Sequence, residues 1–237
     1  MPTLNIQYKF ILKDGHKEVF DLKLDGKSLI LMEPVTQNPP LWTRLEFEQC
    51  PHCLLTVDIY RHCPLAVNLV YVVKRFDRLI SFDQIQVEVL TPERIISQNT
   101  TAQEGISSLM GLLIATSKCP FTDFFKPMAH FHLPFANEQE TVWRATATYL
   151  MAQYFLILNG ERHDVDLEGL TKIYNDIQKL NAATVGRLRA AGKEDSTVNA
   201  LVHLDIFAKL LTLGLEETLN SLQHLIRPFL STHKNCR

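Results

Sequence analysis

Residues 5–24, NIQYKFILKDGHKEVFDLKL, decide the fold of the N-terminal part of the chain. Apolar and polar residues alternate over 5–12, Asp14-Gly15 interrupts the alternation, and it resumes over 19–24. Alternation with a period of two is typical of strands with one buried face, and an Asp-Gly pair between two such runs favours a hairpin. The stretch therefore predicts two antiparallel strands that share an apolar face.

Four further runs have the composition of short strands. They are residues 28–32, 42–47, 85–89 and 94–98. A second Asp-Gly pair, Asp25-Gly26, precedes the first run, so the N-terminus is predicted to be a three-stranded meander. The last two runs are expected to pair across Thr91-Pro92 and to extend the sheet.

Helical patterns dominate after residue 98. Thr101 with Glu104, and Asn137 with Glu140, have the spacing of a capping box at the start of a helix. The predicted helices are residues 64–76, 101–117, 138–158, 167–191, 196–213 and 216–229. Between them, the aromatic and proline-rich residues 119–136 predict an ordered loop on the core.

The order of strands followed by helices indicates an α+β fold, with an N-terminal antiparallel meander sheet and a helical C-terminal half packed on it. The sequence contains no evident internal repeat, low-complexity tract or linker. We therefore expect a single domain over 1–237, with a mainly β half at 1–98 that contains a Cys-Pro-x-Cys turn and a helical half at 99–237.

The charge of the chain is small and evenly distributed. The formal net charge is −2; residues 1–98 carry 11 Lys and Arg against 12 Asp and Glu, and the remainder carries 13 against 14. Without a basic region to neutralise phosphates, binding to nucleic acid or to an anionic membrane is not expected. The N-terminal residues lack the pattern of an export signal, and no apolar stretch approaches the roughly 20 residues of a membrane span, so we expect a cytoplasmic location.

Four of the five cysteines are the main candidates for a functional site, and three of them precede a proline. Cys50 and Cys53 have the C-x-x-C spacing with which a tight turn directs two thiolates at one ion. A reducing cytosol favours metal ligands or redox-active thiols over structural disulfides. Because a tetrahedral zinc site needs four ligands, we predict one structural zinc held by Cys50, Cys53, Cys63 and Cys119.

Histidines supply the reserve ligands, which are His52, His62, His130 and His132. In an extended segment His130 and His132 face the same side, so both imidazoles would bind one metal or act as acid and base in a pocket of a metal-dependent enzyme. The alternative is that both hydrogen-bond to the backbone of a compact loop. Cys236, next to the C-terminus, is not expected to take part in the site.

The cysteines are also compatible with roles other than zinc binding. Buried cysteines act as small apolar residues in many cores. The four residues Cys50-Pro51-His52-Cys53 also resemble the active-site motif of the periplasmic thiol oxidases of the thioredoxin superfamily, which implies thiol-disulfide exchange through Cys50 and Cys53. In that family the motif caps a helix, whereas residues 54–60 have a weak helical pattern. An iron–sulfur cluster also uses four cysteines, but the spacing here matches neither common pattern.

Other polar residues indicate no reaction. Arg144 and Gln153, on the predicted 138–158 helix, are candidate buried partners of acidic groups, with solvated positions as the alternative. Arg187, Arg189 and Lys193 are expected to form a solvated helix face. The sequence has no glycine-rich phosphate loop, nucleophile elbow or H-E-x-x-H helix, so no motif identifies an enzyme.

Four segments together resemble a bacterial family described as a domain of unknown function. They are Cys-Pro-His-Cys, His-Cys-Pro-Leu-Ala, Ser-x-Cys-Pro at 117–120 and Pro-Met-Ala-His-Phe-His-Leu-Pro-Phe at 127–135. The resemblance spans most of the chain and implies no activity. Our leading hypothesis is therefore a zinc-binding cytoplasmic protein with a binding or regulatory role, whose helical half contacts a protein partner or a second copy of the chain.

Overall fold

The computed structural model describes residues 3–32, 38–191 and 195–235, the last three of them by their backbone alone. Lys193 and Cys236 lie outside these ranges. The chain folds into two compact units. Unit 1 comprises Met1–Phe135 and Asp176–Asp205, and unit 2 comprises Ala136–Asn175 and Ile206–Arg237. This division does not fall at residue 98, and the expected single domain stays a prediction.

A four-stranded antiparallel sheet forms the β part of unit 1. β1 (Thr3–Ile11) pairs with β2 (Lys17–Asp25) and with β3 (Gln84–Leu90), and β4 (Ile95–Thr101) pairs with β3. The order across the sheet is β2-β1-β3-β4. The predicted hairpin and the later strand pair are confirmed, although β4 ends at Thr101 rather than at residue 98.

Two predicted strands are wrong. Residues 28–32 contribute a single bridge, between Leu24 and Leu31, because Leu29 has a left-handed backbone conformation (φ 54°), which interrupts an extended strand. Residues 42–47 begin within a 3₁₀ helix, Leu41–Thr43. Trp42 and Leu45 are both buried at a spacing of three residues, which fits a 3₁₀ turn and not a strand.

The helices follow the predicted order. They are α1 (Pro64–Arg75), α2 (Ala102–Ala115), α3 (Lys126–His130), α4 (Glu138–Leu158), α5 (Glu168–Ala191), α6 (Ser196–Leu213) and α7 (Leu215–Asn235). Both capping boxes are present, at α2 and at α4, and the α+β class is confirmed. Residues 119–136 are not a plain loop, since Pro120–Phe125 is a 3₁₀ helix and α3 follows it. Prolines at the first turn of both short helices suit this conformation, because the missing N–H groups are not needed there.

Helices α1 and α2 cover the apolar face of the sheet. Phe10 is fully buried in β1, and the ring of Phe76, at the end of α1, lies 4.8 Å from its ring centroid. At Gly105 helix α2 packs directly on β3, since an added Cβ would lie 2.9 Å from Val87 and 3.1 Å from Ile85. The core of unit 1 therefore lies between one face of the sheet and these two helices.

Among the described residues, α6 has the length and apolar composition of a candidate membrane span, and 33% of it is buried. Core helices of proteins outside membranes pass the same test of length and composition. The composition of α6 therefore does not decide a location.

Candidate functional site

The Cys-Pro-His-Cys turn lies on a loop whose two ends are held side by side. The amide of Cys63 donates to the Thr43 carbonyl at 2.8 Å. Within the loop the amide of Cys53 donates to the Cys50 carbonyl at 3.0 Å and closes the turn. The backbone thus brings the end of the loop, at Cys63, back to the segment that leads into the turn.

Two cysteines stand at the first residue before a helix. Cys63 precedes α1, and Cys119 precedes the 3₁₀ helix Pro120–Phe125. Such residues often cap the helix with their side chains, but neither thiol makes a capping hydrogen bond. Neither sulfur atom is therefore hydrogen-bonded to the backbone at the start of its own helix.

Cys119 and Cys50 each lie within electrostatic range of the other cysteine thiols of the four. Burial raises the pKa of Cys119 to about 12, opposed by a backbone hydrogen bond from Phe121 and reinforced by the other three cysteines. Burial also raises the pKa of Cys50 to about 11, with further contributions from Cys63 and Cys53. Cys119 is thus close to three cysteines that are distant from it in sequence, and all four are free thiols.

The thiols are nevertheless not gathered around one point. Across residues 3–32, 38–191 and 195–235, no three His, Cys, Asp or Glu side chains form a group arranged to hold a metal ion. Zinc needs each of its sulfur ligands about 2.3 Å from a common centre. Zinc binding would therefore require the thiols to move from the positions that they have here; Cys50, Cys53 and Cys63 are only half-buried, whereas Cys119 is buried.

His52 supplies an unsatisfied polar group beside the cysteines. Both of its ring nitrogens are buried and have no hydrogen-bond partner in the described part of the chain. Its ring packs edge-on against Phe121, two residues after Cys119, with ring centroids 4.3 Å apart. A buried polar group without a partner costs about 1–3 kcal/mol, so a ligand or side chain that bonded to this imidazole would stabilise the loop.

His62 is held at the base of the loop. Its Nδ1 lies 2.8 Å from the Thr43 hydroxyl oxygen. Burial, with the charges of Arg61 and Arg44, lowers the pKa of His62. A lowered pKa favours the neutral ring, which is the form in which imidazole binds metals.

The structure places the other two histidines differently. His130 ends α3 with an exposed ring that packs against Phe131. His132 follows the helix, and its Nε2 lies 2.6 Å from the hydroxyl of the fully buried Tyr8. Because the segment is helical up to His130, the expectation that both rings share one side of an extended segment does not apply. A ligand role for either histidine stays a prediction.

Arg187 is the functional candidate that sequence reasoning missed. It is 1% exposed, and its guanidinium donates to the carbonyls of Trp42 at 2.9 Å, Arg44 at 2.6 Å and Leu45 at 3.1 Å. Its positive charge also lowers the pKa of Cys50, against the larger effect of burial. The prediction of a solvated basic face is wrong for Arg187, whereas Arg189 is exposed.

Two polar residues of α4, Gln153 and Arg144, are at least partly buried. Gln153 is buried, and its Oε1 accepts the amide of Asp164 at 2.7 Å, so it binds the backbone and not an acidic side chain. Arg144 is partly buried, and burial lowers its pKa. Both residues belong to unit 2, whereas the four cysteines belong to unit 1.

Fold and site define an α+β protein with a four-stranded antiparallel sheet and a cysteine-bearing loop on its first unit. The chain belongs to the family of the domain of unknown function DUF6901, whose model matches residues 6–227. No curated protein and no solved structure matches the chain. The match covers nearly the whole chain and confirms the resemblance to a domain of unknown function.

Proposed function

We propose that Cys50, Cys53, Cys63 and Cys119 bind one structural zinc ion, and that the protein has a binding or regulatory role in the cytoplasm. The observation that supports this most is that Cys119 lies within electrostatic range of the other three thiols. The buried ring nitrogens of His52, which have no hydrogen-bond partner in the described part of the chain, also support the proposal, because one of them would be free to donate to a zinc-bound thiolate. Such an ion would tie the loop to the start of α1 and to the 3₁₀ helix after Cys119, and its binding energy would add to the folding energy.

Metal analysis with thiol counting tests the zinc site. The full chain, purified under reducing conditions, is expected to contain one zinc per molecule and to expose four additional reactive thiols after chelation. A Cys119→Ser variant is expected to lose most of the zinc, whereas Cys236→Ser is the matched control and retains it. A protein without zinc, in which all five thiols react freely, would contradict the proposal.

Thiol-disulfide exchange through Cys50 and Cys53 is the alternative, and two observations disfavour it. Burial raises the pKa of Cys50 to about 11, whereas an attacking thiol needs a lowered pKa. Residues 54–60 are also not helical, so the turn does not cap a helix. Disulfide reductase activity that disappears in Cys50→Ser would restore this alternative.

For the binding role we propose a second copy of the chain as the partner of α4. Met151 is 64% exposed, and Tyr154 and Leu158, on the same side of the helix, are 55% and 62% exposed. Large exposed apolar patches are uncommon on monomers. Because residues 145–158 contain no charged side chain, two copies could pair there without bringing like charges together.

The mass of the protein in solution over a range of concentrations tests this contact. We expect a dimer that dissociates in Met151→Glu and persists in Phe82→Glu, a control at an exposed position of unit 1. A wild-type protein that is monomeric at all concentrations would contradict the self-contact. Binding of that monomer to neutral lipid vesicles would indicate a membrane partner instead.

A further inference from the structure

We infer that β4 is a docking edge for an extended segment of another protein, which pairs with it antiparallel as a fifth strand. The segment that fits is uncharged, polar at its N-terminal end and apolar at its C-terminal end. The inference depends neither on the zinc site nor on the α4 contact, because β4 lies in unit 1 and contains no cysteine.

The backbone groups of β4 alternate in direction, and the turn before the strand fixes which of them face outward. The amide of Thr91 donates to the Arg94 carbonyl at 2.9 Å, so these two residues form a hydrogen-bonded pair. Such pairs recur at every second position of an antiparallel ladder, and in this register the next one joins Val89 to Ile96. Residues 96, 98 and 100 therefore bond to β3. The N–H and C=O groups of residues 95, 97, 99 and 101 face the open edge of the sheet, where β4 is the last strand.

Three successive outward positions have no partner. In the described part of the chain, no hydrogen bond reaches the outward backbone groups of Ile95, Ser97 or Asn99. The Thr101 amide, by contrast, donates to the Glu104 carboxylate at the start of α2. The three residues without a partner are also exposed, so a strand of about five residues can reach all of these groups.

The opposite edge of the sheet, at β2, is protected. The Met32 amide donates to the Lys23 carbonyl at 2.8 Å, and the Arg75 guanidinium donates to the Val19 carbonyl. Asp21 and Lys23 add exposed charges along the same strand. Charged residues, prolines and covering segments are the means by which proteins keep an edge strand from pairing. The sequence of β4, Ile-Ile-Ser-Gln-Asn-Thr-Thr, contains neither a charge nor a proline, and no described segment bonds to its outer edge.

The side chains of β4 determine which segment fits. Ile95 is 70% exposed, and Ile96, on the other face, is half-buried opposite the fully buried Val89. A guest strand with β-branched apolar residues beside these two isoleucines would cover Ile95 and extend the core at Ile96. Toward Asn99 the strand is polar and uncharged, so hydroxyl and amide side chains match that end.

A second copy of the chain fits this edge less well. In a twofold antiparallel pair of β4 strands, the isoleucine end of each strand lies beside the polar end of the other. The register that uses all three free positions places Ile95 opposite Asn99 of the other copy, so the isoleucine gains no apolar neighbour. A segment of a different protein can place an apolar residue there, and for this reason we assign the edge to such a segment.

Binding of a fluorescently labelled heptapeptide to the full chain tests the inference. The probe is Ser-Thr-Thr-Gln-Thr-Ile-Val, blocked at both ends, and its residues would lie opposite Thr101 to Ile95 in that order. The control peptide has the same sequence with N-methyl groups on the residues that would face Asn99, Ser97 and Ile95. Fluorescence anisotropy is expected to show binding of the probe and at least about tenfold weaker binding of the control, because each methyl group removes a donor.

Two substitutions at Ser97 test the edge from the side of the protein. Proline at an outward position of an edge strand leaves the ladder to β3 intact, because the N–H that it removes faces away from β3. Ser97→Pro is therefore expected to weaken binding of the probe at least about tenfold, and Ser97→Ala, the matched control, to remain within about threefold. If circular dichroism shows that Ser97→Pro does not fold, the N-methylated peptide still decides.

Each other outcome overturns the inference. It fails if the probe and its N-methylated form bind equally, or if the probe does not bind at concentrations up to about 1 mM. Tighter binding of the reversed sequence, Val-Ile-Thr-Gln-Thr-Thr-Ser, would contradict the assigned direction of the guest strand. Self-association of the wild type that Ser97→Pro abolishes would identify a second copy as the occupant of the edge.

Discussion

The imidazole of His52 packs edge-on against the ring of Phe121, and this contact joins the Cys-Pro-His-Cys turn to the segment that begins at Cys119. The two segments are 66 residues apart in sequence, counted from Cys53 to Cys119. The contact positions Cys50 and Cys53 relative to Cys119, and it involves none of their thiols. Substitutions at His52 and Phe121 therefore test whether this ring contact holds the two cysteine-bearing segments together.

Replacing Phe121 by alanine is expected to destabilise unit 1 by about 1–3 kcal/mol, since the half-buried ring loses its packing against His52. Urea denaturation in the presence of a metal chelator measures this change. Phe82→Ala is the matched control, because Phe82 is 70% exposed and its removal is expected to cost within about 0.5 kcal/mol. Equal stability of the two variants would show that the ring contact does not hold the segments together.

Replacing His52 by phenylalanine is expected to have opposite effects with and without metal. The zinc-free protein should gain about 1–2 kcal/mol, because two buried nitrogens without partners are removed while a ring remains against Phe121. If the cysteines bind zinc as proposed, zinc affinity should fall, because the imidazole beside the ligand cysteines is lost. Denaturation of the zinc-free protein and chelator competition measure the two effects. A loss of stability in the zinc-free variant would mean that the nitrogens have partners in solution.

The stability of unit 2 is expected to depend on Asp164 at acid pH. Its carboxylate accepts the Gly169 amide and the Tyr149 hydroxyl, each at 2.7 Å, and these bonds lower its pKa. A lowered pKa stabilises the folded state above the unfolded value of about 3.9, and this contribution disappears as the pH falls through the folded value. Asp164→Asn should therefore lower the melting temperature at neutral pH and converge with the wild type at low pH.

Thermal unfolding of both proteins between neutral pH and about pH 2 checks this dependence. Asp166→Asn is the control, since Asp166 is exposed. A difference between wild type and Asp164→Asn that is the same at every pH would contradict an electrostatic origin.

Two glycines of α2 are expected to respond oppositely to alanine. At Gly105 the new Cβ would lie 2.9 Å from Val87, so overpacking should cost about 1–3 kcal/mol, partly offset by helix propensity. At Gly111 the nearest atom, in Leu204, is 3.5 Å away, so the variant should gain up to about 1 kcal/mol. Urea denaturation measures both. A stabilised Gly105→Ala would mean that α2 does not pack directly on β3.

Much of the fold follows from periodicity in the sequence. The alternation in residues 5–24 and 85–89 gives one buried face, and the two capping boxes locate the starts of α2 and α4. Residues 42–47 could not be assigned in this way. These residues are buried because they contact α5, for example through Arg187. Arg187 is far from them in sequence, so the contacts cannot be read from the local pattern.

The candidate site is predictable in part. Cys119 follows a predicted helix end, which makes it a candidate partner of the loop cysteines, and its thiol lies within electrostatic range of theirs, although its role as a ligand stays a prediction. Arg187 is predictable from its position, since it stands three and seven residues after the buried Thr184 and Leu180 on one side of α5. Its charge nevertheless favours the prediction of an exposed position, because a charged residue is rarely fully buried. The burial of the His52 ring nitrogens without hydrogen-bond partners results from tertiary packing, and no pattern in the sequence predicts it.

The order in which the ribosome makes these parts has a consequence for the living cell. The three carbonyls that Arg187 binds precede it by 142 to 145 residues. All four cysteines emerge earlier, and at about 5–20 residues per second Cys119 precedes Arg187 by roughly 3–14 seconds. During that interval the nascent thiols meet the metals and oxidants of their surroundings before the loop is locked. If the cysteines bind zinc as proposed, the supply of zinc at the ribosome, and not only the affinity of the finished protein, would determine which chains mature correctly.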